Sequence, residues 1–401
     1  MSKTSIANST NGTKIPTGWS VKPVSEAFKI CNNLRLPISE EERSKIQGEY
    51  PYYGPTKIQD YINYYRIEGK YALIGEDGDH FLKWRDLPMT LLVEGKFNVN
   101  NHAHILQGEE NLTEWFFYYF NHRELTPYLT RQGAGRYKLT KDALSKIPCV
   151  LPPLPEQTAI AHVLGLMDKA IQLNEQVIAQ KELRKKWLMQ QLLTGKRRVK
   201  GFGGAWKEMR LGDLFNEVWD VNDGGKTHTV MTISSRIGLV SQESKFDKVI
   251  AGDSLRKYTL LLKGDFAYNK GNSNLFPMGC IYQLEDYDSA LVPFVYICFR
   301  PTKLIDSTFY KHWFLSHGLD RQLKRIITSG ARGDGLLNVN SDDFFNLKVI
   351  CPPLEEQTAI AQILQAADKE LRLLRAKGER LREQKKGVMG VLLTGRKRLK
   401  I

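Results

Sequence analysis

No run of about 18 apolar residues occurs anywhere in the 401-residue sequence, so nothing in it reads as a helix that crosses a bilayer. The opening MSKTSIANSTNGTK lacks the charged stub and apolar stretch of a secretion signal. A soluble, cytoplasmic protein with no membrane partner is expected. Cysteine is scarce. Cys31, Cys149, Cys280, Cys298 and Cys351 are odd in number and never fall at C-x-x-C spacing, which argues against a disulfide framework and a zinc knuckle and predicts buried thiols. Catalytic signatures are missing as well. GGKT at 224–227 lacks the glycine that a phosphate loop needs five positions before Gly225, where Asp220 stands. LPPL and CPPL lack the leading polar residue of an NPPF- or DPPY-like methyltransferase motif. His102 and His104 alternate on an expected strand without a third ligand at metal spacing. No metal and no cofactor is expected in this chain.

Acidic residues are outnumbered, 44 against 58 Lys and Arg, for a net charge of +14. That balance points to an anionic partner, of which nucleic acid is the usual one. The excess is local: residues 181–200 hold eight Lys and Arg against one Glu, and 371–401 hold eleven against two. Together these stripes exceed the net charge of the whole chain, so the remainder is slightly acidic. At 42% hydrophobic, the sequence supports two or three domains with real cores.

The chain repeats itself. LPPLPEQTAIAHVL at 151–164 leads to LLTGKRR at 192–198, and CPPLEEQTAIAQIL at 351–364 leads to LLTGRKR at 392–398. A fainter repeat opens each half, with Trp19 nine residues before Phe28 and Trp206 nine before Phe215. Between these landmarks the two stretches are almost unrelated. Each framed module reads as one long helix, with prolines and Glu156 or Glu356 suited to its first turn and Gly195 or Gly395 to its C-cap. Steps of three and four from Ile160 give Leu164, Met167, Ile171, Asn174, Ile178, Lys181, Lys185, Leu188 and Leu192. From Ile360 they give Leu364, Ala367, Leu371, Leu374, Gly378, Leu381, Lys385, Val388 and Leu392. This 3.5-residue seam predicts that the helices pair, in antiparallel fashion.

The fold class read from these patterns is α+β, with two mixed α/β domains and two long helices forming an antiparallel coiled coil. The expected boundaries are 1–150, 151–195, 196–350 and 351–401. Strands are expected in LIGEDGDHFL, MTLLVEGKFNV, YTLLLKGDFAYNK and ALVPFVYICFR, and aromatic helices at 112–125 and 307–326. Each aromatic helix leads to a glycine-rich loop, at 131–139 or 328–337.

The doubled PPL-x-EQ-x-A-I-A phrase, the helices ending in LLTG, YPYYGPTKIQDYI, GEDG…GKF…NNHAHIL and KGDFAYNKG together resemble the specificity subunits of type I restriction–modification enzymes. The likeness covers all but about the first 14 residues. It implies a sequence-reading adaptor, not an enzyme: two target-recognition domains each bind half of a bipartite site in double-stranded DNA, and the helices hold them at fixed separation. It also implies two methyltransferase subunits docked on the frame and using S-adenosylmethionine, with an ATP-dependent restriction subunit able to join. The two readers differ, so the half-sites should differ too.

Base edges are read by Arg, Lys, Asn, Gln, Ser or Thr on exposed loops, and phosphates accept any cation. The DNA candidates are Lys57, Asn101, Arg131, Gln132, Arg136 and Lys138 in the first half, and Lys270, Asn272, Ser273, Asn274 and Arg332 in the second. Tyr52, Tyr53 and Tyr61 suit either a core or a groove wall. The cations after each LLTG are expected to face DNA, and the lysines beside the seam to face a protein partner. Two alternatives stand beside this reading. Asp86, Glu94 and Lys96 have the composition of a metal-dependent nuclease site, and the basic stripes could serve a scaffold that never touches DNA.

Overall fold

The computed structural model describes residues 15–131, 136–222, 229–246, 252–271, 275–327 and 337–400. The chain forms two compact units, Met1–Asn174 with Lys377–Ile401 (unit 1) and Glu175–Ala376 (unit 2).

Unit 1 is built on a six-stranded sheet in the order Lys29–Ile30, Ala103–Gln107, Ile67–Gly75, Thr90–Val99, Gln47–Tyr53, Ile58–Ile62. All neighbours are antiparallel except Gln47–Tyr53 against Thr90–Val99. Unit 2 has a four-stranded sheet in the order Phe215–Glu217, Ile297–Pro301, Phe266–Asn269, Cys280–Gln283. That order matches the first four strands of unit 1, so one topology is used twice. Different hairpins are then added: Gln47–Ile62 extends the sheet of unit 1, whereas Met231–Ser241 and the Thr259–Leu262 pairing with Ser289–Val292 stand apart in unit 2.

Several sequence expectations shift by a few residues. The strand in LIGEDGDHFL ends at Gly75, and Asp79–Lys83 is a 3₁₀ turn. ALVPFVYICFR makes two strands because Pro293, with no N–H to give a ladder, turns the chain through the Tyr296 N to Pro293 O bond. The aromatic helix of unit 1 spans Thr113–Phe120. That of unit 2 is split into Ser307–Leu315 and Asp320–Ile326 at His317 (φ 63°) and Gly318.

The long helices run unbroken over Leu154–Leu192 and Leu354–Leu392. Every apolar seam residue is buried or half-buried: Ile160, Leu164, Met167, Ile171, Ile178, Leu188 and Leu192 on the first, and Ile360, Leu364, Leu371, Leu374, Leu381, Val388 and Leu392 on the second. In unit 1, Asp168 pairs with Lys385, and Gly378 lies against Asn174, where an added Cβ would meet Nδ2 at 3.0 Å. In unit 2, Lys185 pairs with Asp368, Lys181 with Glu370 and Glu182 with Arg375. Numbers rise along one helix as they fall along the other, so the pairing is antiparallel. A buried asparagine facing a glycine favours that register, since a shift by one seam position either way would oppose the amide to Leu374 or Leu381. The seam lysines Lys181, Lys185 and Lys385 thus pair with this chain's own carboxylates, where the sequence expectation gave the lysines beside the seam to a protein partner.

The helix ends do not stop at each other. Ile160, Leu164, Met389 and Leu392 join the core of Trp19, Phe28, Trp115 and Phe116. Leu192, Ile360 and Leu364 join that of Phe215, Phe266, Phe309 and Phe314. The cysteines are buried thiols, Cys351 half-buried, and burial pushes Cys149 and Cys298 up to about 12, leaving them unreactive.

One place breaks the match between halves. In unit 1 the Tyr118 hydroxyl donates to Asp168, at 2.9 Å. In unit 2 the buried His312 takes that role, and its Nε2 stops 3.6 Å from Asp368 Oδ2, with neither ring nitrogen hydrogen-bonded. Burial drives the imidazole down to about 4 from 6.5, helped by Lys311 and Lys185 and opposed by Asp368 and Asp306. A lowered histidine stabilises the fold above its unfolded value and loses that contribution as pH falls. Unit 2 should thus lose stability between pH 6.5 and about 4, and His312→Tyr should flatten this part of a melting temperature against pH series. An unchanged slope in that variant would dissociate His312 from the effect.

Candidate nucleic-acid interface and its frame

The frame explains the doubled phrase. Glu156 and Glu356, the E of each EQ, are 1% and 0% exposed. Glu156 accepts a two-pronged bond from Arg398 (Nε 2.5 Å, Nη2 2.7 Å) and one from Trp19 Nε1 at 3.0 Å. Glu356 accepts the same set from Arg198 (Nε 2.6 Å, Nη2 2.5 Å) and Trp206 Nε1 at 2.9 Å. Each guanidinium also lies over its tryptophan ring, at 5.7 and 5.2 Å. Burial raises the Glu356 carboxyl, but the bonds from Arg198 and Trp206 outweigh it and hold the pKa below the ordinary value. The Q of each EQ faces the other way. Gln157 accepts from Leu112 N and Gln357 from Asp306 N, both at 2.9 Å, at the N-caps of the aromatic helices. Gly195 (φ 69°) and Gly395 (φ 66°) close the long helices in the left-handed conformation, with Arg197 N and Lys397 N returning to Gln191 O and Val391 O.

Arg198 and Arg398 are therefore consumed by buried carboxylates, a correction to the expectation that the cations after LLTG face DNA. Lys196, Arg197, Lys200, Arg396, Lys397 and Lys400 remain exposed, Arg197 over the Trp187 ring. Sequence reasoning missed the Glu–Arg–Trp latch, although its three landmarks recur in both halves.

In unit 1 the candidates gather along one end of the sheet. The tip of the Gln47–Ile62 hairpin is closed by Gly54 N to Lys57 O, with Lys57 exposed. Asn100 N bonds Tyr53 O and its amide bonds Gln59, and His102 N bonds Asn100 Oδ1, which presents Asn101 to solvent between them. Glu76 N takes His102 O, and Leu139 N takes Glu76 O, tying in the Thr130–Lys138 hairpin. Arg131, over the Tyr137 ring at 5.3 Å, and Arg136 are exposed there. Lys138 is at the same end but is held by Glu76 (3.2 Å) and Asp77 (3.7 Å), whose hydrogen bond and charges raise its pKa. Gln59, which was not among the sequence candidates, and His102 belong to this surface. Gln132, Asn272, Ser273, Asn274, Arg332 and the GGKT segment lie outside the described residues. Lys270 sits at the corresponding end of the sheet in unit 2, where its carbonyl accepts from Leu337 N.

The alternatives fare differently. His102 stands before the strand and pairs with Asp77 at 2.8 Å. His104 is buried, with Nε2 on Leu139 O (2.7 Å) and Nδ1 between Arg35 and Asn32. That arrangement suits a neutral structural imidazole, and burial lowers its pKa accordingly. Glu94 pairs with Lys70 at 3.2 Å, and Lys96 lies over the Tyr65 ring. Among the described residues no three His, Cys, Asp or Glu side chains are placed to hold a metal ion, and no helix is long and apolar enough to cross a membrane. Tyr52 is core, donating to Leu36 O, Tyr53 is half-buried and Tyr61 is exposed.

Residues 16–182 and 295–383 match the model of the type I restriction modification DNA specificity domain. A Haemophilus influenzae chain named as a type I restriction enzyme specificity subunit is 40% identical over 147 residues, 36% of each chain. The MjaVIII specificity subunit of Methanocaldococcus jannaschii is 25% identical over 97% of this chain and 95% of its own. Among solved structures, the type I restriction-modification S subunit from M. genitalium has the same fold, with a TM-score of 0.61 at 14% identity over 95% of this chain and 97% of that one.

Proposed function

Because the chain belongs to the type I restriction modification DNA specificity family, and is a specificity subunit of such a system, we propose that its two unlike domains each read one half of an asymmetric bipartite target and that the paired helices set the gap between the halves. The observation that carries this reading is one topology and one latch used twice, with different loops at the sheet end. A reader of two different words needs that combination. A 39-residue helix spans ~58 Å at 1.5 Å per residue, more than one DNA turn of ~34 Å.

Family membership implies DNA and the other subunits of the restriction–modification complex as partners. The finer assembly is part of the proposal: two methyltransferase subunits dock on the frame, S-adenosylmethionine is bound by them and not by this chain, and an ATP-driven restriction subunit joins the complex. This chain supplies recognition without catalysis and acts in the cytoplasm. In unit 1 the contacts fall to Lys57, Asn101, Arg131 and Arg136, with Gln59 and His102 beside them.

Co-expression with a methyltransferase and genome-wide mapping of modified bases, with and without this gene, tests the reading. The expected result is one bipartite motif that disappears with the gene, no methylation or Mg²⁺-dependent cleavage by the isolated chain, and binding that weakens steeply with salt. Cleavage by the isolated chain that is lost in Glu94→Ala would replace this reading with the nuclease.

A further inference from the structure

Unit 2 carries a cavity of about 330 Å³ at the place where the described residues of unit 1 hold a set of ion pairs and hydrogen bonds. The equivalence rests on the sheet register: Cys31 N to Ile105 O corresponds to Val218 N to Cys298 O, and the pairing of Leu73 with Ile105 corresponds to that of Ala267 with Cys298, three residues before Glu76 and Lys270. Trp219 and Lys270 thereby stand where unit 1 has Asn32 and Glu76. In unit 1 that space is filled by a closed set, with Arg35 on Glu76 at 2.7 Å, Lys138 on Glu76, and His104 between Asn32 and Arg35. In unit 2 the lining includes Glu217, Trp219, Lys257, Lys270, Phe294 and Ser341.

The rim is unusual for a soluble surface. Trp219 is 74% exposed and Phe294 58%. Two large aromatics standing in water beside two lysines suit a flat, aromatic ligand attached to an anion. The floor supplies specificity: Ser341 Oγ donates to Glu217 Oε1, aiming a half-buried carboxylate whose pKa is raised by burial, against the opposing effect of the Ser341 bond and with a smaller push from Asp342. A carboxylate accepts from an exocyclic amino group, as of cytosine or adenine, and the volume falls within the ~300–1,000 Å³ range of small-ligand sites. The cavity also lies at the sheet end that carries Lys270, corresponding to the end where Lys57, Asn101 and Arg131 gather in unit 1.

We propose that this cavity takes one nucleobase of the target swung out of the stack, with Trp219 and Phe294 against its faces, Glu217 accepting from its amino group, and Lys257 and Lys270 near the adjoining phosphate. The inference rests on the DNA-reading function above and deepens it. Unit 2 would then read one base of its half-site outside the duplex.

The test uses the full chain assembled with its methyltransferase and duplexes of the mapped target carrying 2-aminopurine at each position in turn. Emission should rise several-fold where 2-aminopurine stands beside one base of one half-site, because that neighbour has left the stack, and Trp219→Ala should abolish that rise and weaken target binding by about tenfold, ~1.4 kcal/mol. Trp219 is exposed, so this variant does not disturb the core. Specific binding without any rise overturns the pocket and leaves the recognition function standing. A rise that survives Trp219→Ala belongs to the methyltransferase and overturns it equally. Absence of any target-specific binding by the assembled complex would overturn both.

Discussion

Glu356→Ala is expected to lower the unfolding free energy by about 3–5 kcal/mol, the range for breaking a buried charged pair by removing one partner. The carboxylate is fully buried and accepts from Arg198 twice and from Trp206 once. Removing it costs three charge-assisted bonds, leaves the indole N–H without an acceptor and opens a hole beneath the ring. Glu356→Gln keeps the volume and the acceptor oxygen but not the charge, so it should fall between. The sign with pH follows from the lowered pKa: the latch contributes fully above the unfolded carboxylate value near 4.5 and fades as pH falls through the lower folded value. Urea unfolding of the three proteins at neutral pH and at pH 4 measures both. Equal midpoints for Glu356→Ala and the parent at neutral pH would show the latch to be marginal.

The second large effect is on specificity. A heptad inserted after Glu175 and another after Lys377 would lie opposite each other in the antiparallel pair, as Asn174 and Gly378 do, and would preserve the 3.5-residue seam. Seven residues add ~10.5 Å, or about three base pairs at ~3.4 Å each. The assembled complex should stop modifying its original motif and modify one with the same half-site words and a gap about three base pairs longer. Base-resolved mapping of methylation reads this directly. Changed words at an unchanged gap would show that the helices do not act as the spacer. Insertion in one helix alone breaks the register and should cost folding before it alters spacing.

Much of this was legible in the residues. The seam was readable because burial on a helix leaves a periodic apolar trace, and the places where the trace fails, Asn174, Gly378 and the lysines, are where the helices meet through polar contacts. The repeated frame was readable because two copies of one physical task keep the same letters. What those letters do was hidden: Glu156 is 242 residues from Arg398, and no local pattern announces a bond across that distance. Positions of single loop side chains were hidden for the same reason. Lys138 and Arg131 stand on the two strands of one small pairing and look alike as sequence, yet the first is tied down by Glu76 and Asp77 while the second is exposed. The strand break at Pro293 went unread although proline's missing N–H marks it, and the split at His317 was hidden, because a left-handed histidine obeys no composition rule.

The two units differ in how the chain closes them. Unit 2 is drawn from one continuous stretch, Glu175–Ala376, whereas unit 1 needs Lys377–Ile401 to complete the core around Trp19 and to supply Arg398 to Glu156. During synthesis the later-made unit is therefore the first to have all its parts. The unit translated first must wait, with Glu156 lacking its arginine, until Arg398 has been made and has emerged. A nascent chain stalled between Ala376 and Arg398 would present a finished second unit and an open first one.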